Sequence, residues 1–195
     1  MRKFKITNPY ADVDWDNWHH YKTNLHTHST ASDSQVDFSD MIKAYYDAGF
    51  DILAMTDHGV INHGWNLKPR RVPLFSVASI IKKPTWLTDE EYSAILDGTY
   101  KNRGRGMTDL RYGIEVNTAV FTKSHVNGFF TDFGQGLAGR ENDFEGCVKG
   151  IAESGGLSVI NHPGDWLEAY VDVKHAHEKK NIELFADILK KYPSC

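Results

Sequence analysis

Short apolar runs alternate with amphipathic stretches along this chain, and the alternation predicts strands and helices in turn. Residues 22–26 predict a short strand ending at His26. A helix is expected over 37–49: Asp37 caps its first turn, Met41, Ile42, Tyr45 and Ala48 share a face, and Gly49 stops it. Ile52 to Met55 is apolar and bounded by polar residues, as in a buried parallel strand. A polar loop over 62–73 leads to an expected strand at 74–81. Thr88 and Glu91 form a capping box that opens a second helix, ended by Gly98. After a Gly- and Arg-rich loop at 102–106, strands are expected at 112–116 and 126–131. A helix at 142–154, a strand at 157–160 and a helix at 182–192, stopped by Pro193, complete the pattern. This order predicts an α/β fold with parallel strands, and neither a low-complexity linker nor an internal repeat divides it.

Composition narrows the class. A chain of 195 residues suffices for one domain with a sizeable core. Its 41% apolar and 25% charged residues are an ordinary globular balance. A net charge of −4 disfavours nucleic acid as a partner, although it says nothing about a local basic groove. Cys147 and Cys195 form neither a close metal pair nor a disulfide framework, and Cys147 reads as a small core residue. No apolar run follows the basic start Met1 to Lys5, so neither a signal peptide nor a membrane span is expected, and a reducing cytoplasm is the expected location.

The histidines change the picture most. Five of the ten fall beyond expected strand ends or in short strand-edge motifs, where reactive side chains converge in parallel α/β folds. In Asn24-Leu-His26-Thr-His28, the two imidazoles are two residues apart and share one side of an extended chain, so one ion can take both. The run Ile52 to Thr56 delivers Asp57 and His58 to its end. Asp57 either orients an imidazole or merely turns the chain before Gly59. Glu115 interrupts an apolar strand, where a lone anion is costly; coordination between two cations would offset that cost. His125 opens one strand, and His162 ends another before Pro163. A mixed imidazole and carboxylate set suits Zn, Mn or Fe better than Ca or Mg. Arg103, Arg105 and Arg140 lie in Gly-flanked loops and are candidates for gripping a phosphate, with solvated loop charge as the alternative.

The ordered set His-x-His with Ser32-Asp33, Thr-Asp57-His58-Gly, Gly-Ile-Glu115-Val, Ser-His125-Val-Asn-Gly-Phe-Phe and Asn-His162-Pro-Gly resembles the motifs of the PHP (polymerase and histidinol phosphatase) family, across about residues 22–165. The resemblance implies a distorted (β/α)7 barrel with two or three divalent ions, Zn, Mn or Fe, at its C-terminal mouth. It implies that His26 and His28 hold the first ion, that Glu115 bridges the first and second, that His125 and His162 hold the second, and that Asp33 and His58 hold the third. The implied activity is hydrolysis of a small-molecule phosphate monoester by metal-activated hydroxide. Catalysis is expected to depend on Glu115, His125 and Asp57.

The family pattern closes with an Asp-x-His pair, and no such pair follows His162. Asp172 and His175 are three apart and are not taken as ligands. The chain is therefore expected to be a single PHP-type domain over 1–195 lacking its last βα units, a piece of a longer protein, with weak or absent activity by itself. Its open barrel edges are expected to favour self-association. A PHP-type nuclease, a non-catalytic metal-binding module and, more remotely, an amidohydrolase are the competing readings.

Overall fold

The computed structural model describes residues 8, 10–71, 83–116, 124–136, 144–163 and 176–195, without the side chains of 176–181. The expected strand at 74–81 lies outside the described residues, as do Arg140, Asp172 and His175.

Three short parallel strands form a first sheet: β1 (Thr23–Asn24), β2 (Ile52–Leu53) and β3 (Thr108–Asp109), in that spatial order. Helix α1 (Phe38–Asp47) follows β1. Its N-cap is Asp37, which accepts from the Ser39 amide, and Phe38, Ile42 and Tyr46, four residues apart, are buried along one stripe. Gly49, at φ +81°, takes the left-handed turn after it. Helix α2 (Asp89–Asp97) opens on the reciprocal Thr88–Glu91 capping box and ends at Gly98. A 3-10 turn (Tyr100–Asn102) leads into β3. Leu53, Met55, Trp65, Ile95 and Met107 pack with the buried face of α1 into one apolar core.

The second sheet contains β4 (Ile114–Val116), β5 (Val126–Phe129) and β6 (Leu157–Ile160). Helix α3 (Phe144–Glu153) packs on it, and Phe185 and Ile188 of helix α4 (Ala176–Lys191) join that core. Its pairings are antiparallel, which corrects the expectation of parallel strands throughout. Phe129 pairs with Leu157, so β6 starts beside the end of β5. The chain thus re-enters the sheet at the end where it left β5, whereas a parallel crossover would return it to the opposite end. Among the described residues the two sheets do not close into a barrel.

A bulge joins the sheets. Ile52 pairs with Thr108, an offset of 56, whereas His58 pairs in parallel with Glu115, an offset of 57. One extra residue is thus inserted between β3 and β4, and Tyr112, at φ +60°, marks the place. A Cβ on the next residue, Gly113, would stand 2.9 Å from the Met55 carbonyl oxygen, so a larger residue would push the start of β4 away from the segment that follows β2. The bulge places Glu115 next to His58, at the junction of the two sheets.

Candidate metal centre

Each histidine of interest follows the end of a strand or begins one. His26 and His28 follow β1, His58 lies beyond β2, His125 immediately precedes β5, and His162 is two residues past β6 with φ at +30°. These segments converge on Glu115, whose side chain is fully buried. Its two oxygens face different groups. Oε2 lies 2.7 Å from His28 Nε2, 3.1 Å from His58 Nδ1 and 3.5 Å from His26 Nε2. Oε1 lies 3.1 Å from His125 Nδ1 and 3.8 Å from His162 Nε2.

Despite these distances, Oε2 has no partner of hydrogen-bond geometry, and neither has His58 Nδ1. His26 Nε2 and His28 Nε2 also face each other at 3.1 Å. Two nitrogens each about 2.1 Å from one ion stand about 3.0–3.4 Å apart, so this spacing matches shared ligands. Three overlapping groups have ligand atoms within 4.8 Å of one another: His26, His28 and Glu115; His28, Asp33 and His58; and His58, Glu115 and His125.

Charge follows the same convergence. Burial works against ionised Glu115, yet the imidazoles of His125, His26 and His28 and the charge of His58 hold its carboxyl well below the usual carboxylate range. Burial likewise works against protonated His28, but the carboxylates of Asp33 and Glu115 outweigh it and push the imidazole up to about 10. Asp33, hydrogen-bonded to His28 and close to His58, is held far below its ordinary value. His28 Nδ1 donates to Asp33 Oδ1 at 3.0 Å, so when the imidazole gives up one proton it keeps this one and frees Nε2, which faces Glu115. Asp33 Oδ2 is 3.6 Å from His58 Nε2.

Asp57 acts differently from the expected imidazole orienter. Its buried carboxylate accepts from the Ser29 amide at 2.6 Å, the Ser29 hydroxyl at 2.8 Å and the Ser32 hydroxyl at 2.7 Å. It therefore shapes the loop that carries His28 and Asp33. Burial pushes its carboxyl up against the pull of these donors.

The arginines correct the sequence reading. Arg105 Nε is 2.7 Å from Asp51 Oδ1, and Arg103 donates to the Phe50 carbonyl at 2.8 Å while its guanidinium lies 4.6 Å from the Tyr46 ring centre. Asp51 immediately precedes β2, and its Oδ2 accepts from the Lys22 amide just before β1. Arg103 and Arg105 thus tie together the N-terminal ends of the parallel strands. The histidines stand beyond the C-terminal ends, His26 four residues past Lys22 and His58 seven past Asp51. Neither arginine is placed to grip a phosphate there.

Two residues of the centre escaped the sequence reading. Asn161 donates to Glu115 Oε1, and Asn127 accepts from Asn161, each at 2.8 Å. Their signal was present: both are amides beside apolar residues, Asn127 inside β5 and Asn161 immediately past the end of β6. No helix among the described residues is long and apolar enough to cross a membrane.

Residues 24–184 match a family model described as the PHP domain. No curated protein matches the chain. Among solved structures, similarity is found to a two-domain protein from Bacteroides vulgatus ATCC 8482, described as containing a predicted PHP-like metal-dependent phosphoesterase. The identity is 20% and the TM-score 0.46, over 84% of this chain and 40% of that one. The chain thus spans two fifths of the length of that protein.

Proposed function

This chain belongs to the PHP domain family, and from that premise we propose that its histidine and carboxylate cluster is the metal centre of a phosphoesterase acting on a small-molecule phosphate monoester. The observation that carries the reading is the fully buried Glu115 oxygen with three imidazole nitrogens within 3.5 Å and no hydrogen bond to any of them. A buried acceptor left in that condition costs about 1–3 kcal/mol, and more when charged, unless a cation takes the lone pairs. The residues therefore fit a divalent ion.

His26, His28 and Glu115 would hold one ion, and Glu115 with His125 and His162 a second. Asp33 and His58 offer a third position beside His28. When bound, such ions acidify water and neutralise charge on a phosphoryl group. The chain's own contributions are distinct from that chemistry. Glu115 sets one oxygen toward each of the two groups of imidazoles. Asp33 keeps the His28 proton on Nδ1, away from the centre. Asp57 anchors the serine loop so that His28 and Asp33 arrive together. Zn, Mn and Fe suit this donor set.

The test is phosphate release from p-nitrophenyl phosphate by protein loaded in turn with Zn2+, Mn2+ and Co2+, beside degradation of single-stranded DNA. Slow release that EDTA abolishes, without DNA degradation, is the expected result. Metal-stimulated DNA degradation in its place would turn the reading to a nuclease. Tight metal binding with no hydrolysis of either substrate would turn it to a non-catalytic metal module.

A further inference from the structure

Glu115 can serve two cation positions only if its carboxylate is held in one rotation, because a turn about its last bond would mix the two sets of neighbours. The imidazoles around Oε2 do not fix that rotation, since none of them makes a hydrogen bond to it, so the hold on the carboxylate comes from the Oε1 side. Asn161 lies on that side. Its Nδ2 donates to Glu115 Oε1 and to Asn127 Oδ1, each at 2.8 Å, so both amide hydrogens are committed to acceptors. Asn127 in turn donates from Nδ2 to the Leu25 carbonyl at 3.0 Å. The polarity of the chain is set from both ends. The Leu25 carbonyl can only accept, which makes Asn127 present its oxygen to Asn161, and the Glu115 carboxylate can only accept, which makes Asn161 present its nitrogen. Flipping Asn161 would set its carbonyl against two acceptors at once.

Every member of this chain sits on a ligand-bearing segment. Leu25 immediately precedes His26, Asn127 is two residues after His125, and Asn161 immediately precedes His162. Asn127 and Asn161 are both buried, at 2% and 4% exposure, where an amide without partners would be costly. We propose that Asn161, oriented by Asn127 through the Leu25 carbonyl, is a positioning residue that fixes the Glu115 carboxylate so that Oε2 serves the His26–His28 position and Oε1 the His125–His162 position. This rests on the reading of Glu115 as a ligand shared between two cations.

The experiment is titration of the metal-free chain with Co2+, followed by its visible absorption and by the number of ions bound. Wild type is expected to bind at least two. Asn161→Ala is expected to weaken Co2+ binding about 10- to 100-fold, the usual cost of losing a residue that orients a metal ligand, and to alter the absorption bands. Asn127→Ala is expected to alter the same bands, because it removes the acceptor that holds the second amide hydrogen of Asn161; it serves as the second variant should Asn161→Ala fail to fold. Variants that unfold at a lower temperature but bind Co2+ with wild-type affinity and spectrum would overturn the inference, leaving a structural role only. A wild-type chain that binds no Co2+ would overturn both the inference and the reading beneath it.

Discussion

Replacing Glu115 with Gln is expected to lower Co2+ affinity by at least about 100-fold and metal-dependent phosphate release with it, while the chain still folds. The first half follows from charge. Glu115 is the fully buried carboxylate of the cluster, and five imidazole nitrogens lie within 3.8 Å of its two oxygens. Neutral imidazoles orient a divalent cation but cannot neutralise it, and loss of a residue that merely orients a ligand already costs about 10- to 100-fold. The second half follows from shape. Gln has nearly the volume of Glu and keeps an oxygen for the Asn161 amide, so the hydrogen bond that anchors the carboxylate survives. Calorimetric titration with Co2+ beside thermal unfolding of the metal-free variant separates the two effects. Wild-type affinity in Glu115→Gln would show that the carboxylate is not a ligand.

The same cluster sets a distinctive dependence on pH. In the metal-free chain the imidazole of His28 is raised from 6.5 to about 10, so its contribution to stability is complete below pH 6.5 and is lost as pH rises through about 10. Glu115 and Asp33 are depressed from 4.5 and 3.8, so their contributions are complete above those values and are lost as pH falls. All three are complete together only between pH 4.5 and 6.5. The unfolding free energy of wild type minus that of Glu115→Gln, measured by urea in EDTA, is therefore expected to peak in that window. Co2+ reverses the slope above it. A cation must displace the proton on His28 Nε2, while the one on Nδ1 stays with Asp33, so affinity rises about tenfold per pH unit for each proton displaced. Stability in Co2+ is then expected to go on rising from pH 6 to 8. Equal slopes in EDTA and Co2+ would mean that no proton is exchanged for the ion.

What the sequence revealed about this fold was local. Helices α1 and α2 were legible because Asp37 and Thr88 cap them and Gly49 and Gly98 end them, all within a few residues of the helices themselves. The direction of β5 and β6 was not legible, because it depends on the route the chain takes between them rather than on either strand's own pattern. The bulge at Tyr112 was hidden for a related reason. It consists of one surplus residue in a register that only pairing with β2 defines.

The candidate site divides the same way. His26, His28, His58, Glu115, His125 and His162 were marked by their position at strand ends or by a charge in an apolar strand, and the fold brings them together. Arg103 and Arg105 were misread because a basic, Gly-flanked loop looks the same at either end of a sheet. Only the Asp51 contacts show that theirs is the N-terminal end. The hydrogen bonds of Asn161 to Glu115 and Asn127 span 46 and 34 residues, a separation at which no periodicity carries a signal. Asp57 was read as either an imidazole orienter or a turn residue; its partners Ser29 and Ser32 lie 28 and 25 residues away and were equally hidden.

The most direct measurement is diffraction from crystals grown with Zn2+ or Mn2+, collected on both sides of the metal's absorption edge. Two anomalous peaks are expected, one about 2.0–2.2 Å from both His26 Nε2 and Glu115 Oε2 and the other equally close to Glu115 Oε1 and His125 Nδ1. A map with no peak near Glu115, and with the imidazoles hydrogen-bonded to one another or to water, would contradict the account at its root.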